Sequence, residues 1–488
     1  MGQSCAIITY MLRRTKIVAT LGPASDDKET LRDMIKSGLD VARLNFSHGD
    51  AADHVRRADL LRSAAESCGR EVGIMGDLQG PKIRIRRFKD HSVSLVDGES
   101  FFLDSSLGLM DGDKDGVGVA LDWLHEDLSP GDILLLNDGM ITLKVTNIKG
   151  KRIHTTIING GILSDHKGIN LKGGGLSAAA LTEIDKQNIR LAAEMNVDFL
   201  AVSFVRNGED IEEARSLLKE AGGNGLIVAK VERAEAVKNI DSIIEASDVI
   251  MVARGDLGVE IGYAELIGVQ KKIISKTRKA QKIVITATQM MESMIQNPIP
   301  TRAEVSDVSN AVIDGTDAVM LSGETAVGAH PAGAISAMAE VCVGAEKFPL
   351  QTGQTSHRML DRFGLVDEAI AMATMYTANH MSVKAIIALT ESGSTTRWMS
   401  RIWSDIPIYA FTPYVSTSRR VAMYPGVYPV LFEINDENPL GLDQDIFDTL
   451  LANELLEEGD FALLTKGDLN GVSGTTNSMT VIKITSSA

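Results

Sequence analysis

The chain has 488 residues, of which 44% are hydrophobic and 23% are charged, a composition typical of globular proteins. This length predicts two or three domains rather than one. The formal net charge of −16 argues against a general binder of nucleic acids or of anionic membranes, although local sites for anions stay open.

The cysteine content indicates a reducing environment. Cys5, Cys68 and Cys342 are odd in number and widely spaced, which predicts a cytoplasmic protein without a disulfide framework. No apolar run approaches the ~20 residues that span a bilayer. The segment Met1–Tyr10 is mildly apolar, but Arg13 and Arg14 follow it on the wrong side for a secretory signal. We therefore expect a disordered or alternative-start extension before Met11.

Short apolar runs recur at intervals of about 25–35 residues, which is typical of repeated βα units. The runs are continuous rather than alternating, as expected for a parallel sheet covered on both faces. The predicted strands are Lys16–Leu21, Val41–Phe46, Val72–Leu78, Phe199–Phe204, Leu226–Val231, Val249–Ala253, Lys282–Thr288 and Ala318–Leu321. The predicted helices between them are Lys28–Ser37, Ala51–Ser67, Thr182–Met195, Glu209–Glu220, Ala234–Glu245, Leu266–Ala280 and Arg302–Asp314. Eight such units predict an α/β protein with a (β/α)₈ TIM barrel, with a doubly wound open sheet as the alternative that strand count leaves open.

The third and fourth of these strands are about 120 residues apart, far more than an ordinary connection. The intervening sequence alternates in hydrophobicity and contains Pro-Gly and Asp-Gly turns. Its predicted strands are Ser92–Leu95, Glu99–Leu103, Asp132–Leu136, Met140–Thr146 and Arg152–Ile158. We predict that residues 81–181 form a small inserted β-barrel domain that acts as a lid, and that residues 1–80 and 182–350 form the barrel.

The βα pattern restarts after a polar, linker-like segment at Leu350–Ser356. Residues 351–488 are predicted to form an open α/β domain. Its predicted strands are Ala385–Leu389, Ile408–Phe411, Val427–Leu431, Phe461–Leu464 and Thr480–Ile484, and its predicted helices are Leu365–His380, Thr395–Ser404, Ser416–Met423 and Asp443–Glu457.

Charged residues follow two neighbouring barrel strands. Lys230 and Glu232 end one strand, and Gly255 and Asp256 follow the next. Function gathers at the carboxyl ends of barrel strands, and two carboxylates there suit Mg²⁺ or Mn²⁺. The alternative is that the carboxylates only form salt bridges with Lys230 or Arg254. Lys230 and Arg43 have the charge and shape to hold a phosphoryl group.

Six segments of the chain resemble, in order, those of pyruvate kinases. They are Thr15–Pro23 (TKIVATLGP), Arg43–Gly49, Asp77–Arg84 (DLQGPKIR), Met251–Gly258 (MVARGDLG), Thr286–Met290 (TATQM) and Leu321–Ala326 (LSGETA). The resemblance spans nearly the whole chain, including the insert and the C-terminal domain. It implies transfer of the phosphoryl group of phosphoenolpyruvate to ADP, giving pyruvate and ATP.

The resemblance also implies roles for single residues. Lys230 would stabilise the migrating phosphoryl group, Arg43 would bind the phosphate, and Glu232 with Asp256 would hold the essential Mg²⁺. The substrate carboxylate would be held by Gly255, Asp256 and Thr288. Thr288, acting with Ser322 and water, would help to protonate the enolate. The nucleotide and a second Mg²⁺ would be contacted by Asn45, Ser47, His48, Arg84 and Lys167.

One position departs from the family pattern. Most members bind K⁺ through residues that match Asn45, Ser47, Asp77 and the carbonyl group of Leu78, and they carry a GPEIR-like motif. This chain has Lys82 in place of the glutamate. An ammonium group there would take over the charge of the ion, so we predict activity without added K⁺. The alternative is a surface lysine that leaves the K⁺ site intact.

The C-terminal domain contains a loop rich in hydroxyl groups between a predicted strand and helix, which is typical of a phosphate site. In this family the loop binds phosphorylated effectors. Val327 follows LSGETA where a lysine is often seen. The negative charge of Glu391 within the loop predicts a sugar monophosphate or AMP rather than a doubly phosphorylated effector. An ordinary helix cap is the alternative. The predicted effector residues are Thr390, Ser392, Ser394, Thr395 and Thr396.

The resemblance implies a cytoplasmic, allosterically regulated homotetramer. Two other readings stay open at this point. One is a Mg²⁺-dependent lyase or mutase that acts through an enolate, which shares the acidic residues but not the lid. The other is a catalytically silent scaffold or metabolite sensor, which the presence of Lys230, Glu232 and Thr288 disfavours.

Overall fold

The computed structural model describes residues 12–352, 362–433, 441–467 and 476–485. The predicted N-terminal extension lies outside these ranges. Within them, Cys68 and Cys342 are free thiols and are buried. None of the helices in these ranges combines the length and apolar character needed to cross a membrane.

Eight parallel strands close into a barrel, which confirms the TIM barrel and rejects the open sheet. Each strand pairs with its neighbours in chain order, and the first strand pairs with the eighth. The strands are Lys16–Thr20, Val41–Asn45, Gly73–Asp77, Phe199–Val202, Leu226–Val231, Val249–Ala253, Ile283–Ala287 and Ala318–Leu321. Nearly all their residues are buried, as expected for strands covered by the barrel core and the surrounding helices.

In the described part of the chain, five of the helices outside the barrel begin at side chains that cap their free N–H groups, namely Asp27, Asp50, Thr182, Asn207 and Thr301. Thr182 accepts a hydrogen bond from the N–H of Asp185, whose carboxylate accepts one from the N–H of Thr182 in return. The predicted helix Ala234–Glu245 is divided at Asn239, which ends one helix and begins the next. The barrel helices are Lys28–Lys36, Ala51–Ser67, Glu183–Glu194, Gly208–Glu220, Ala234–Lys238, Ile240–Ala246, Arg254–Ile261, Tyr263–Lys279, Arg302–Ile313, Gly323–Ala326 and Pro331–Thr352.

The insert between the third and fourth barrel strands is a β domain, as predicted. Its six-stranded sheet has the order Ile169–Leu171, Ile133–Leu136, Ile141–Lys149, Arg152–Asn159, Ser100–Asp104 and Gly116–Gly118. A two-stranded sheet pairs Gly161–Ser164 with Ser92–Leu95. Its own hydrophobic cluster includes Phe88, Phe101, Leu134 and Ile153. Three of these strands, including Ile169–Leu171, were not predicted, because segments of three or four residues have too few positions to show alternation.

The C-terminal domain is an open five-stranded sheet. Four strands are parallel, and the last runs antiparallel at one edge. The order is Val427–Leu431, Ile408–Thr412, Ala385–Leu389, Phe461–Gly467 and Thr476–Lys483, and the helices are Val366–His380, Ser394–Ser400, Val415–Val421 and Leu442–Ala452. The two predicted helices around Ser394–Ser400 and Leu442–Ala452 were too long. The left-handed backbone of Glu454, with φ of 55°, lies just beyond the second of them.

The linker prediction was partly wrong. The last barrel helix continues to Thr352 and so includes the first residues of the predicted linker Leu350–Ser356. Residues 353–356 lie outside the described ranges. The limits 81–181 and 351–488 for the two additional domains stay predictions.

The barrel interior and the C-terminal domain share one hydrophobic cluster. Val18, Met75 and Met251 from the barrel strands belong to the same cluster as Met375 and Ile386 of the C-terminal domain. The polar residues follow the carboxyl ends of the barrel strands. The open, carboxyl-terminal end of the barrel is therefore left for the charged residues and for the insert.

Candidate active site

Asp77 lies at the centre of a buried charge cluster in the barrel mouth. Its carboxylate accepts from the Arg43 Nε at 2.5 Å and lies 3.1 Å from the Lys230 Nζ. The side chain of Asp77 is fully buried. Burial alone would raise the pKa of Asp77, but the positive charges of Arg43 and Lys230 outweigh it and hold the pKa below its usual value. Asp77 is therefore an ionised group that orients the two cations.

Lys230 is a buried ammonium group with three oxygen partners. Besides Asp77, it lies 3.0 Å from the Glu232 Oε1 and donates to the Ser203 Oγ at 2.6 Å. Burial lowers the pKa of Lys230, but Asp77 and Glu232 raise it by more, so that the net shift is upward. The ammonium group therefore stays charged at neutral pH and is fixed in position.

The surroundings of Glu232 destabilise its charged form. Its Oε2 accepts from the Phe204 N–H at 2.7 Å. Burial raises the pKa of Glu232, and the carboxylates of Asp256 and Asp77 raise it further, against the opposing effect of Lys230. A buried carboxylate that other carboxylates destabilise is a place where a bound cation lowers the free energy.

The donor set fits a hard divalent cation. Glu232 and Asp256 offer carboxylate oxygens and act on each other electrostatically. Within the described ranges, no three acidic, histidine or cysteine side chains gather closely enough to hold a metal by themselves. Substrate oxygens and water would have to complete the coordination, which is typical of Mg²⁺ sites.

The structure brings Lys82 to Asp256. The Lys82 Nζ donates to the Asp256 Oδ1 at 2.8 Å and lies 3.9 Å from the Asp138 Oδ1 of the insert. Its described ion pairs are therefore with these two carboxylates and not with Asp77, beside which we expected the K⁺ charge. Asp77 is instead paired with Arg43 and Lys230.

The other predicted K⁺ ligands already have partners within the chain. The Asn45 Oδ1 accepts from the Ser47 N–H at 3.2 Å. The carbonyl oxygen of Leu78 accepts from the Ser203 hydroxyl at 2.7 Å. Ser203 was missed by the sequence analysis because a serine after a barrel strand is a common loop residue.

Thr288 is held beside Gly255 in an unusual backbone conformation. The Thr288 Oγ1 accepts from the Gly255 N–H at 2.8 Å. Thr288 has φ of 69° and Gln289 has φ of 52°, values that a β-branched residue rarely adopts. Arg254 holds this turn by donating to the Thr288 carbonyl at 2.7 Å, and it pairs with Asp307 at 2.8 Å. Arg254 is therefore turned away from the metal carboxylates.

Glu324 connects two of the predicted loops. It is buried and accepts from the Ser322 N–H at 2.7 Å and from the Met291 N–H at 3.1 Å. Ser322 thus lies next to the turn that carries Thr288. The sequence analysis quoted Glu324 within LSGETA but gave it no role, although a glutamate that directly follows a buried strand is a signal of such a role.

The predicted nucleotide residues lie on two elements. Asn45 is the last residue of the second barrel strand, and Ser47 and His48 follow it. Arg84 and Lys167 belong to the two segments that connect the insert to the barrel, and these two segments are paired with each other. Arg84 bridges to Gly168, and the Ile85 N–H donates to the Lys167 carbonyl at 2.9 Å. The structure therefore brings together two predicted residues that are 83 positions apart in sequence.

Most hydroxyl groups of the predicted effector loop are bonded within the C-terminal domain. Thr390 accepts from the Gly393 N–H at 2.9 Å, and Ser394 donates to Asp367 at 3.0 Å. Thr395 bonds to Thr476 at 2.7 Å, and Thr396 donates to the Gly393 carbonyl at 2.8 Å. Ser392 also has an interaction. The hydroxyl groups of Thr390, Ser394, Thr395 and Thr396 thus shape the loop.

A closed parallel barrel with a β insert and with cations and carboxylates at its mouth defines a metal-assisted enzyme for an anionic substrate. Comparison with known proteins makes the class specific. The family description "Pyruvate kinase, barrel domain" matches residues 12–335, and "Pyruvate kinase, alpha/beta domain" matches residues 368–482. The chain belongs to the pyruvate kinase family.

Individual relatives match over almost their whole length. Pyruvate kinase II of Salmonella typhimurium is 52% identical over 477 residues, covering 97% of this chain and 99% of the relative. Pyruvate kinase of Haemophilus influenzae is 52% identical over 460 residues, covering 93% and 96%. Pyruvate kinase of Mycobacterium intracellulare is 39% identical over 474 residues, covering 97% and 99%. The chain therefore has the complete domain set of these relatives.

Proposed function

We propose that this chain transfers the phosphoryl group of phosphoenolpyruvate to ADP by means of the Asp77, Lys230 and Glu232 cluster. The reaction is that of its family, and the enzyme is a phosphotransferase. The observation that supports this site most strongly is a charged, buried lysine fixed between two carboxylates. Phosphoryl transfer depends mainly on positioning and on neutralising charge, and these residues supply both.

Glu232 and Asp256 would hold a divalent cation, Mg²⁺ or Mn²⁺, which neutralises charge on substrate oxygens when it is bound. Lys230 and Arg43 would face the phosphoryl group, since Asp77 fixes both of them. The bond between phosphorus and the enol oxygen breaks as a new one forms to the terminal phosphate oxygen of ADP. The enolate that remains needs a proton on carbon.

Thr288 is proposed to hold the substrate carboxylate together with Gly255 and Asp256. Its hydroxyl group is fixed by the Gly255 N–H. With Ser322 and water it would deliver the proton to the enolate. Asn45, Ser47 and His48 on the barrel, with Arg84 and Lys167 on the insert, would bind the nucleotide, so the insert would act as a lid.

Lys82 is proposed to make added K⁺ unnecessary. Three of the predicted ion ligands, Asn45, Asp77 and the carbonyl group of Leu78, are already bonded within the chain. The Lys82 ammonium group adds its charge beside Asp256 instead, 2.8 Å away. A positive charge is thereby present in the site without a bound monovalent ion.

Regulation and assembly are proposals that follow from the family. A phosphorylated effector, a sugar monophosphate or AMP, would bind the N–H groups around Ser392–Thr396. The negative charge of Glu391 disfavours a second phosphate. We further propose that the protein is a homotetramer. A location in the cytoplasm agrees with the odd number of cysteines.

A coupled assay with phosphoenolpyruvate, ADP and Mg²⁺ tests the proposed function. Lys230→Met should lower turnover by at least ~10²-fold, because it removes the charge that faces the phosphoryl group. Lys272→Met is the matched control on an exposed helix surface and should keep full activity. No turnover by the unmodified chain, or full turnover by Lys230→Met, would reject the proposal.

A further inference from the structure

Residues 170–178 lead from the insert back to the barrel, and we name this segment the return stem. Charged side chains of the barrel bind it. Arg233 donates to the carbonyl groups of Leu176 at 3.4 Å and of Ala178 at 3.2 Å. The Glu235 carboxylate accepts from the Gly175 N–H. Both side chains follow Glu232 closely in sequence. The turn that offers a metal carboxylate therefore also binds the return stem.

Glu260 is a third barrel residue that contacts the return stem. It lies near the end of the helix Arg254–Ile261, which begins with Gly255 and Asp256. Its Oε2 accepts from the Ala234 N–H at 2.9 Å, and its Oε1 accepts from the Asn170 amide at 3.4 Å. Its backbone carbonyl accepts from the Gly173 N–H at 3.0 Å. One residue thus joins the helix of Asp256, the turn of Glu232 and the return stem.

Glu260 is 6% exposed and lines a small cleft between the insert and the barrel. The polar side chains around this cleft are Lys82, Asn170, Arg233, Glu235 and Glu260. A buried carboxylate is stable only when its oxygens are bonded, so its partners are held with it.

We infer that Glu260 is a positioning residue that fixes the return stem, and with it the nucleotide side of the insert, relative to Glu232 and Asp256. Lys167 lies only three residues before Asn170, so a shift of the stem displaces it. This inference rests on the proposed function for the role of Lys167. The position of the stem itself does not depend on that role.

The ionisation of Glu260 supports this assignment. Burial and the charge of Glu235 raise the pKa of Glu260 to about 7, against hydrogen bonds from Ala234 and Asn170 and the charge of Arg233. Lys82 is the other charged group at the cleft. Opening the stem would expose this carboxylate to water and return its pKa toward its ordinary value, so that opening releases a proton. The stem should therefore loosen as pH rises from about 5 to about 7.

Glu260→Gln tests the inference in the full chain. The glutamine has nearly the same shape and no charge to bury, so the fold should persist, as thermal unfolding would verify. One amide oxygen cannot serve both Ala234 and Asn170. Asn170→Ala is a second variant that removes only the stem's donor. Glu265→Gln, on the exposed side of the next helix, is the matched control.

Hydrogen exchange of peptides that cover residues 170–178, corrected for intrinsic rates, is the readout that does not depend on activity. Both variants should exchange about tenfold faster there, which corresponds to the loss of one hydrogen bond. From pH about 5 to about 7, protection in the unmodified chain should fall, whereas Glu260→Gln should show no such change. The Michaelis constant for ADP should rise severalfold, with turnover at saturating ADP nearly unchanged.

Unchanged exchange in folded Glu260→Gln would overturn the inference. An unchanged Michaelis constant for ADP would also overturn it, because the stem would then not place the nucleotide side. A fall in turnover without faster exchange would mean that Glu260 acts on the carboxylates directly and would likewise reject it. If the unmodified chain shows no phosphoryl transfer, the proposed function fails, and the exchange data still decide whether Glu260 fixes the stem.

Discussion

Arg401 of the C-terminal domain and Asp317 of the barrel form a two-pronged ion pair that is almost completely buried. The Arg401 Nη1 lies 2.8 Å from the Asp317 Oδ2, and the Nη2 lies 3.0 Å from the Oδ1. Arg401 directly follows the helix Ser394–Ser400 of the proposed effector loop. Asp317 directly precedes the barrel strand Ala318–Leu321, which Ser322 follows. The pair therefore connects the two proposed sites through two short elements.

Arg401→Met should destabilise the protein by about 3–5 kcal/mol, because it leaves the Asp317 carboxylate buried with a weaker partner. Arg278, at 3.6 Å, compensates only in part. Thermal unfolding measures the effect. The control Arg56→Met removes an exposed pair with Asp26 and should leave the unfolding temperature nearly unchanged. Equal losses in the two variants would show that the buried pair does not hold the domains together.

Lys82→Glu should make the enzyme dependent on K⁺. The substitution places a carboxylate beside Asp256 and removes the charge that the ammonium supplied, so that a monovalent cation is needed to restore it. Activity without K⁺ should fall at least about tenfold, and added K⁺ should recover part of it. The measurement is turnover in Tris buffer with and without K⁺. Lys89→Glu, an exposed lysine of the insert, is the control.

The unmodified enzyme provides the decisive comparison for Lys82. We expect its activity to be nearly independent of K⁺. Strong activation of the unmodified enzyme by K⁺ would contradict the proposed role of Lys82, whatever the variant does.

Thr288→Val should lower kcat/KM for phosphoenolpyruvate by about 10²-fold, because the hydroxyl group beside Gly255 is lost. Valine is branched at Cβ like threonine, so the substitution should perturb the strained backbone, with φ of 69°, very little. Thr288→Ser keeps the hydroxyl group and should lose less than about tenfold. Steady-state kinetics at saturating ADP provide the comparison. If valine and serine behave alike, the hydroxyl group has no role in the reaction.

Asp198→Asn should change how stability depends on pH. Burial raises the pKa of Asp198 to about 6, although it accepts from the Ile74 N–H at 2.8 Å. Between pH about 4 and about 6 the unfolded chain releases a proton that the folded protein keeps, so stability falls as pH rises. Asparagine does not titrate. Its stability relative to aspartate should therefore grow with pH by up to about 3 kcal/mol across this range.

Thermal unfolding at several pH values would measure that difference. Asp241→Asn is an exposed control and should show no such trend. A difference between Asp198→Asn and the unmodified protein that stays constant with pH would show that Asp198 ionises normally in the folded state.

The sequence allowed the barrel strands to be predicted within a few residues, because a buried parallel strand is a continuous apolar run with helices on either side. The short strands of the insert and the true ends of two C-terminal helices were not predicted. Tertiary contacts decide these features, since three or four residues carry too weak a local preference. The left-handed conformation of Glu454 at a helix end is a further example.

The sequence by itself determined which charged residues lie at strand ends. Polar side chains are costly inside a barrel, so a charged residue at the end of an apolar run is easily recognised. The sequence also showed Lys82 in place of a glutamate. Only the folded chain decided that Lys82 pairs with Asp256 rather than standing beside Asp77, and that Glu260 reaches Asn170, 90 positions away. Those pairings depend on distances between segments far apart in sequence, and closure of the barrel sets these distances.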